Sequence, residues 1–106
     1  MTRWRLIGKV WCNWPSRPDG LIEFIGGSYL AASPHFSYRE LFESLSNNNI
    51  AIHAWSYIPG FDHQGQANKA WKSLRQCRIR LEDRIGNIPR TIRLGHSLGV
   101  KLHLIA

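Results

Sequence analysis

The stretch Leu21-Ile22-Glu23-Phe24-Ile25, closed by Gly26-Gly27, limits the fold more than any other part of the chain. It is too short for a helix, almost wholly apolar and not alternating, the signature of a strand buried on both faces. Such a strand needs neighbours in a sheet and helices on both sides. The rest of the sequence reads accordingly. Trp4 to Asn13, with Trp4, Leu6, Gly8, Val10 and Cys12 on one parity, predicts a first strand, followed by a turn through Pro15, Pro18, Asp19 and Gly20. Ser33-Pro34 reads as an N-cap and first helical position, and Phe36, Tyr38, Leu41, Phe42 and Leu45 continue one helix to Asn47-Asn48-Asn49. Ile50 to Tyr57 predicts a strand stopped by Pro59-Gly60. Asp62 caps a second helix, in which Ala67, Ala70, Trp71, Leu74, Cys77, Arg78, Leu81 and Ile85 keep steps of three and four until Gly86. Thr91 to Leu94 is a last short strand, and Leu98 to Ala106 a last short helix. The order strand, strand, helix, strand, helix, strand, helix predicts an α/β fold, a mostly parallel sheet with flanking helices, in a single domain over 1–106.

Composition narrows the function. With 14 Lys and Arg against 7 Asp and Glu the chain carries +7, and it has five tryptophans, a profile that suits nucleic-acid binding. The distribution argues otherwise: Arg75, Arg78, Arg80 and Arg84 share one helical stretch with Glu82 and Asp83, as on a solvated helix face. No apolar run is long enough to span a membrane, and Lys9 and Asn13 interrupt the stretch behind Arg3 and Arg5 that a signal peptide would need. A cytoplasmic protein is expected. Cys12 and Cys77, 65 residues apart with no CxxC spacing, suit reduced thiols better than a bridge or a zinc site. His35, His53, His63, His96 and His103 show no metal-binding spacing, so neither metal nor cofactor is expected.

The chemistry sits in Gly95-His96-Ser97-Leu98-Gly99, a GxSxG match that follows a four-residue strand and opens a helix. A serine at the apex of so tight a turn takes a strained backbone, and only small residues fit at Gly95 and Gly99. Ser97 is the expected nucleophile. The amide of Leu98, at the positive end of the helix, points where a carbonyl oxygen would become an oxyanion. Gly26-Gly27-Ser28 lies where a second such amide is expected, and Gly27 is taken as its donor. The side chain of His96 is expected to turn away from the nucleophile and serve in packing or hydrogen bonding. Asp62 is read as a helix cap, with His63 in the first turn, in preference to a catalytic pair.

Phe24-Ile25-Gly26-Gly27, Pro34, Tyr38, Phe61-Asp62-His63, Gly95-His96-Ser97-Leu98-Gly99 and Lys101-Leu102-His103-Leu104 together resemble an uncharacterised α/β-hydrolase-like family of cyanobacteria and plastids, classed as a domain of unknown function. In that family an FxGG strand end, a tyrosine helix, an FDH segment and a GHSxG turn with KLH behind it follow in this order. The resemblance runs from about Trp4 to Ile105 and implies a serine hydrolase scaffold without a settled substrate. It also implies a longer chain. In this fold the order is Ser, then Asp or Glu, then His. After Ser97 there is no acidic residue, Asp83 being the last, and His103 lies six residues on, about 9 Å along the helix axis and on another face.

The chain is therefore expected to be the N-terminal portion of an α/β-hydrolase fold, a fragment that holds the nucleophile but lacks acid and base and is inactive alone. If active, its substrate would be a small-molecule ester or acyl compound. The alternative is a non-enzymatic binding or interaction module on the same half-sheet. In either case the edge at Thr91 to Leu94 is expected to leave Ile92, Leu94, Leu102 and Ile105 exposed, favouring self-association or capture by a complementing C-terminal half.

Overall fold

The computed structural model describes residues 4–27 and 33–105. Five strands, β1 (Arg5–Ile7), β2 (Val10–Asn13), β3 (Gly20–Ile25), β4 (Ile50–Trp55) and β5 (Thr91–Gly95), form one sheet in the order β1-β2-β4-β3-β5. The helices are α1 (Pro34–Ser37), α2 (Arg39–Asn47), α3 (His63–Ile85) and α4 (Leu98–Ile105). Mixed α/β architecture with helices on both faces agrees with the sequence. The sheet is less parallel than expected. β3 pairs in parallel with β4 and β5, whereas β2 runs antiparallel to β4 and β1 antiparallel to β2.

The almost wholly apolar strand is where the sequence placed it. β3 lies between β4 and β5 with all six residues buried. Its even positions, Ile22 and Phe24, meet Ile52, Ala54 and Phe42 of α2. Its odd positions turn to the other face, where Ile25 joins Val10, Cys12 and Trp55 beneath Ala67, Ala70, Leu74 and Cys77 of α3 and Leu102 of α4, and Leu21 joins Ala51 beneath Leu81. Period two in the strands and steps of three and four in α3 thus close two cores on one sheet. Asp62 caps α3 as expected, accepting a bond from the Gly65 N–H at 3.0 Å.

Three expectations are corrected. The single first strand is a hairpin: Gly8 takes a positive φ of 61° and folds β1 back on β2, with Arg5 opposite Cys12. The single helix after Ser33 is two, and the Ser33 side chain makes no capping bond. The break falls at Tyr38 (φ −112°, ψ 26°), whose ring packs edge-on against Phe24 at 4.6 Å and whose hydroxyl reaches the Gly27 loop. Long-range contacts of one side chain here outweigh the continuity of a helix. At the β5 edge Ile92 is exposed, 47%, but Leu94 and Ile105 are half-buried and Leu102 is wholly buried in the core under α3. The last helix covers its own apolar side by folding back onto α3 and β3.

A row of polar side chains crosses the α3 face of the sheet at one level: Cys12, His53, Glu23 and Arg93, each opposite the next in register. Glu23 is 3% exposed, and its only ion-pair partner among the described residues is Arg78, 3.6 Å away; Oε2 accepts no hydrogen bond. Burial raises its pKa, against the pull of Arg78 and Arg93. A carboxyl raised in the folded state favours folding below its ordinary pKa and loses that contribution as pH rises through the folded value. Glu23→Gln, which stays neutral, is therefore expected to melt a few degrees higher than the parent at neutral pH and to lose that advantage below about pH 4. Thermal melts across that range check it; an advantage that does not change with pH would contradict it.

Candidate active site

β5 ends at Gly95 and α4 begins at Leu98, leaving two residues to reverse the chain. Ser97 makes the reversal with φ 58°, the left-handed region that a non-glycine residue seldom adopts. The turn is tied from three sides. The His96 N–H donates to the Ile25 carbonyl at 3.1 Å, the Gly99 N–H to His96 at 3.1 Å, and the Val100 N–H to Ser97 at 3.1 Å. A Cβ on Gly99 would lie 1.9 Å from the Ile25 oxygen, and one on Gly95 2.6 Å from the Val100 nitrogen. Both glycines of the motif are therefore required by the closeness of backbone to backbone. Ser97 is exposed at the C-terminal end of the parallel strands. The Leu98 N–H, in the first turn of α4, takes none of the acceptors that its neighbours use.

Gly27 lies directly across from this turn. A Cβ there would come within 3.1 Å of the Ser97 Cβ and 3.3 Å of His96 Nδ1. Its N–H donates to the Tyr38 hydroxyl at 2.9 Å, and that hydroxyl lies 2.9 Å from His96 Nδ1. The preceding carbonyl, of Gly26, accepts from the Tyr57 hydroxyl at 2.7 Å; burial, with Tyr38 nearby, pushes the Tyr57 pKa up to about 12, so it remains a donor. Two tyrosines thus hold the Gly26-Gly27 turn against the Ser97 turn. Ser28 lies outside the described residues.

The structure brings together Ser97, Leu98, Gly27, His96, Gly95 and Gly99, and adds Tyr38, which the sequence places in the apolar helix stripe and in the family-like tyrosine helix without giving it a role at the site. By periodicity alone a phenylalanine would serve equally well at Tyr38; the tyrosine helix of the resemblance is the signal that sets it apart. His96 is engaged in hydrogen bonding, with Tyr38 as its partner. His103 does not approach the nucleophile. Its Nε2 lies 3.1 Å from the Leu94 carbonyl, and burial lowers its pKa. Among the described residues no carboxylate or imidazole is hydrogen-bonded to Ser97, and no cluster of three His, Cys, Asp or Glu could hold a metal ion. No helix among them is long and apolar enough to cross a membrane.

A family model described as a protein of unknown function, DUF1350, matches residues 3–106. The chain belongs to the DUF1350 family. No curated protein and no solved structure matches it. The DUF1350 match spans all of the described elements, from β1 to α4, so the turn around Ser97 and the Gly27 loop opposite both lie inside the family's domain.

Proposed function

We propose that this DUF1350 chain carries the nucleophile and the oxyanion-binding amides of a serine hydrolase of the α/β-hydrolase type, acting on a small ester or acyl substrate. One observation carries the reading: a serine held at φ 58° between two sterically obligatory glycines, on a strand-to-helix turn at the C-terminal edge of a parallel pair. Strain of this kind is retained where an exposed hydroxyl has to be presented. Ser97 Oγ would attack the carbonyl carbon while a base takes its proton. The carbonyl oxygen, becoming an oxyanion, would accept from the Leu98 N–H and take over the Gly27 N–H from the Tyr38 hydroxyl. Phe36, Ile58 and Phe61, all exposed, follow the C-terminal ends of β3 and β4, the sheet end that carries Ser97, and suit an apolar acyl group. Among the described residues none stands beside Ser97 as acid or base, and both would come from elsewhere.

The chain by itself is accordingly expected to show no Ser97-dependent turnover of p-nitrophenyl acetate. Added imidazole stands in for the missing base. In its presence mass spectrometry is expected to find Ser97 acetylated ahead of every other serine, and this product to vanish in Ser97→Ala. Acetylation spread evenly over exposed serines would remove the catalytic reading and favour a binding or interaction module.

A further inference from the structure

Trp14 is anchored in the core and covered by two arginines. Its indole N–H donates to the buried His53 at 2.7 Å, while the exposed guanidinium groups of Arg5 and Arg84 lie over its ring, 5.4 and 5.7 Å from the centroid. All three residues line one cavity of about 700 Å³. It lies at the end of the sheet where β2 finishes and β4 begins, beside the last turn of α3; Ser97 stands at the opposite end, where the parallel strands finish. Trp4 and Ile85 add apolar walls and Ser16 a hydroxyl, and among the described residues no Asp or Glu lines the space.

The two guanidinium groups have no anionic partner of their own. Arg78 is paired with Glu23, and Arg39 and Arg93 donate to the carbonyls of Phe36 and His103. Arg5 and Arg84 make neither an ion pair nor a hydrogen bond among the described residues. A guanidinium held over an indole is bound through the electron cloud of the ring, and its outer N–H groups stay available to an anion. Two such groups around one cavity leave two positive charges directed at a shared space.

From this cavity and its two unpaired arginines we propose a binding site, separate from the Ser97 turn, for a small phosphomonoester that carries a planar ring. Each guanidinium offers a fork of parallel N–H donors that matches the spacing of phosphate oxygens. A phosphate dianion has three terminal oxygens and can accept from both forks, whereas the two oxygens of a carboxylate are filled by one. The ring of the ligand lies against the indoles of Trp4 and Trp14, the flat surfaces of the cavity. The volume falls in the range that holds a molecule of this kind. Because His53 already fixes Trp14, binding has only the arginine side chains to order.

Calorimetric titration of the whole chain with phenyl phosphate tests the site. A saturable one-to-one isotherm is expected, about tenfold tighter than for inorganic phosphate, which lacks the ring, and no binding of phenol, which lacks the charge. Arg5→Gln and Arg84→Gln should each weaken it about tenfold or more. Arg84→Lys, which keeps the charge but loses the fork, should also weaken it, about threefold. Arg75 likewise lies over an indole, that of Trp71 at 5.0 Å, but does not line the cavity, so Arg75→Gln should bind as the parent does. All three arginines are exposed, and circular dichroism checks that their variants fold. In amide-resolved nuclear magnetic resonance spectra phenyl phosphate should shift the Trp14 indole signal and leave Gly27 and Gly99 in place. No saturation at millimolar phenyl phosphate, equal affinity for inorganic phosphate, a loss in Arg75→Gln as large as in Arg84→Gln, or binding of a thymidine oligonucleotide alone would each overturn the proposal.

Discussion

Gly99→Val is expected to abolish the fold. The first atom of any side chain at this position falls 1.9 Å from the Ile25 oxygen and 2.5 Å from the Ile25 carbonyl carbon. Both belong to the backbone of β3, which is held by β4 on one side and β5 on the other, so nothing there can move aside cheaply. Relief would require α4 to lift away, and with it Leu102 to leave the α3 core. Overpacking against backbone together with the loss of that burial costs about 4 kcal/mol or more, a large part of what a domain of this size has. Far-ultraviolet circular dichroism should show the variant unfolded or melting more than about 15 °C below the parent. Ser97→Ala, which changes the exposed apex alone, should leave the melting temperature within about 2 °C of the parent. Similar losses in the two variants would mean that the turn is an ordinary loop.

Acid should weaken the fold from mildly acidic pH downward. His53 is fully buried at the centre of the sheet, and its Nε2 accepts a bond from the Trp14 indole N–H at 2.7 Å, which requires that nitrogen to be unprotonated. Burial first, and then Arg78, push its pKa down to about 3 from an ordinary 6.5. Above pH 6.5 the folded and unfolded chains both keep this imidazole neutral. As pH falls from there toward 3, the unfolded chain takes up a proton that the folded one refuses, and stability drains away. At about 1.4 kcal/mol for each pH unit, the contribution lost by pH 3 is about 5 kcal/mol. His35 and His103, both lowered chiefly by burial, push the same way, and Glu23, raised by burial, offsets part of the loss. Urea unfolding at intervals from pH 7.5 to 4 measures the slope. His53→Gln, which keeps an acceptor for Trp14 but cannot take the proton, should be less stable at pH 7.5 and distinctly flatter in profile. A parent profile already flat between pH 7 and 4 would contradict this account.

The contacts behind these two predictions were not equally legible in the residues. The clash at Gly99 belongs to local chemistry: a GxSxG run between a short strand and a helix calls for a turn so tight that its flanks must be glycine. His53 gave no comparable sign. It sits in an otherwise apolar strand, and nothing in Ile50 to Trp55 says that an indole from the β2–β3 connection will donate to it. Glu23, in the same way, was visible only as an interruption in an apolar run. Its partner Arg78 stands on a helix more than fifty residues away, where its spacing puts it in the helical stripe and its charge in a run that suits a solvated face.

What the sequence determined by itself was periodic or local. The doubly buried strand, the helical stripe from Ala67 to Ile85, the Asp62 cap and the shape of the Ser97 turn all follow from spacings of two to four residues and from the limits of single side chains. Tertiary structure decided whatever depends on which elements meet. It folded β1 back on β2, broke the first helix so that Tyr38 could bind Gly27 and His96, turned α4 over to bury Leu102, and buried Cys12 and Cys77 in one cluster. Those outcomes depend on contacts between residues tens of positions apart, whose energies come from packing and burial in the assembled fold and leave no repeat in the chain.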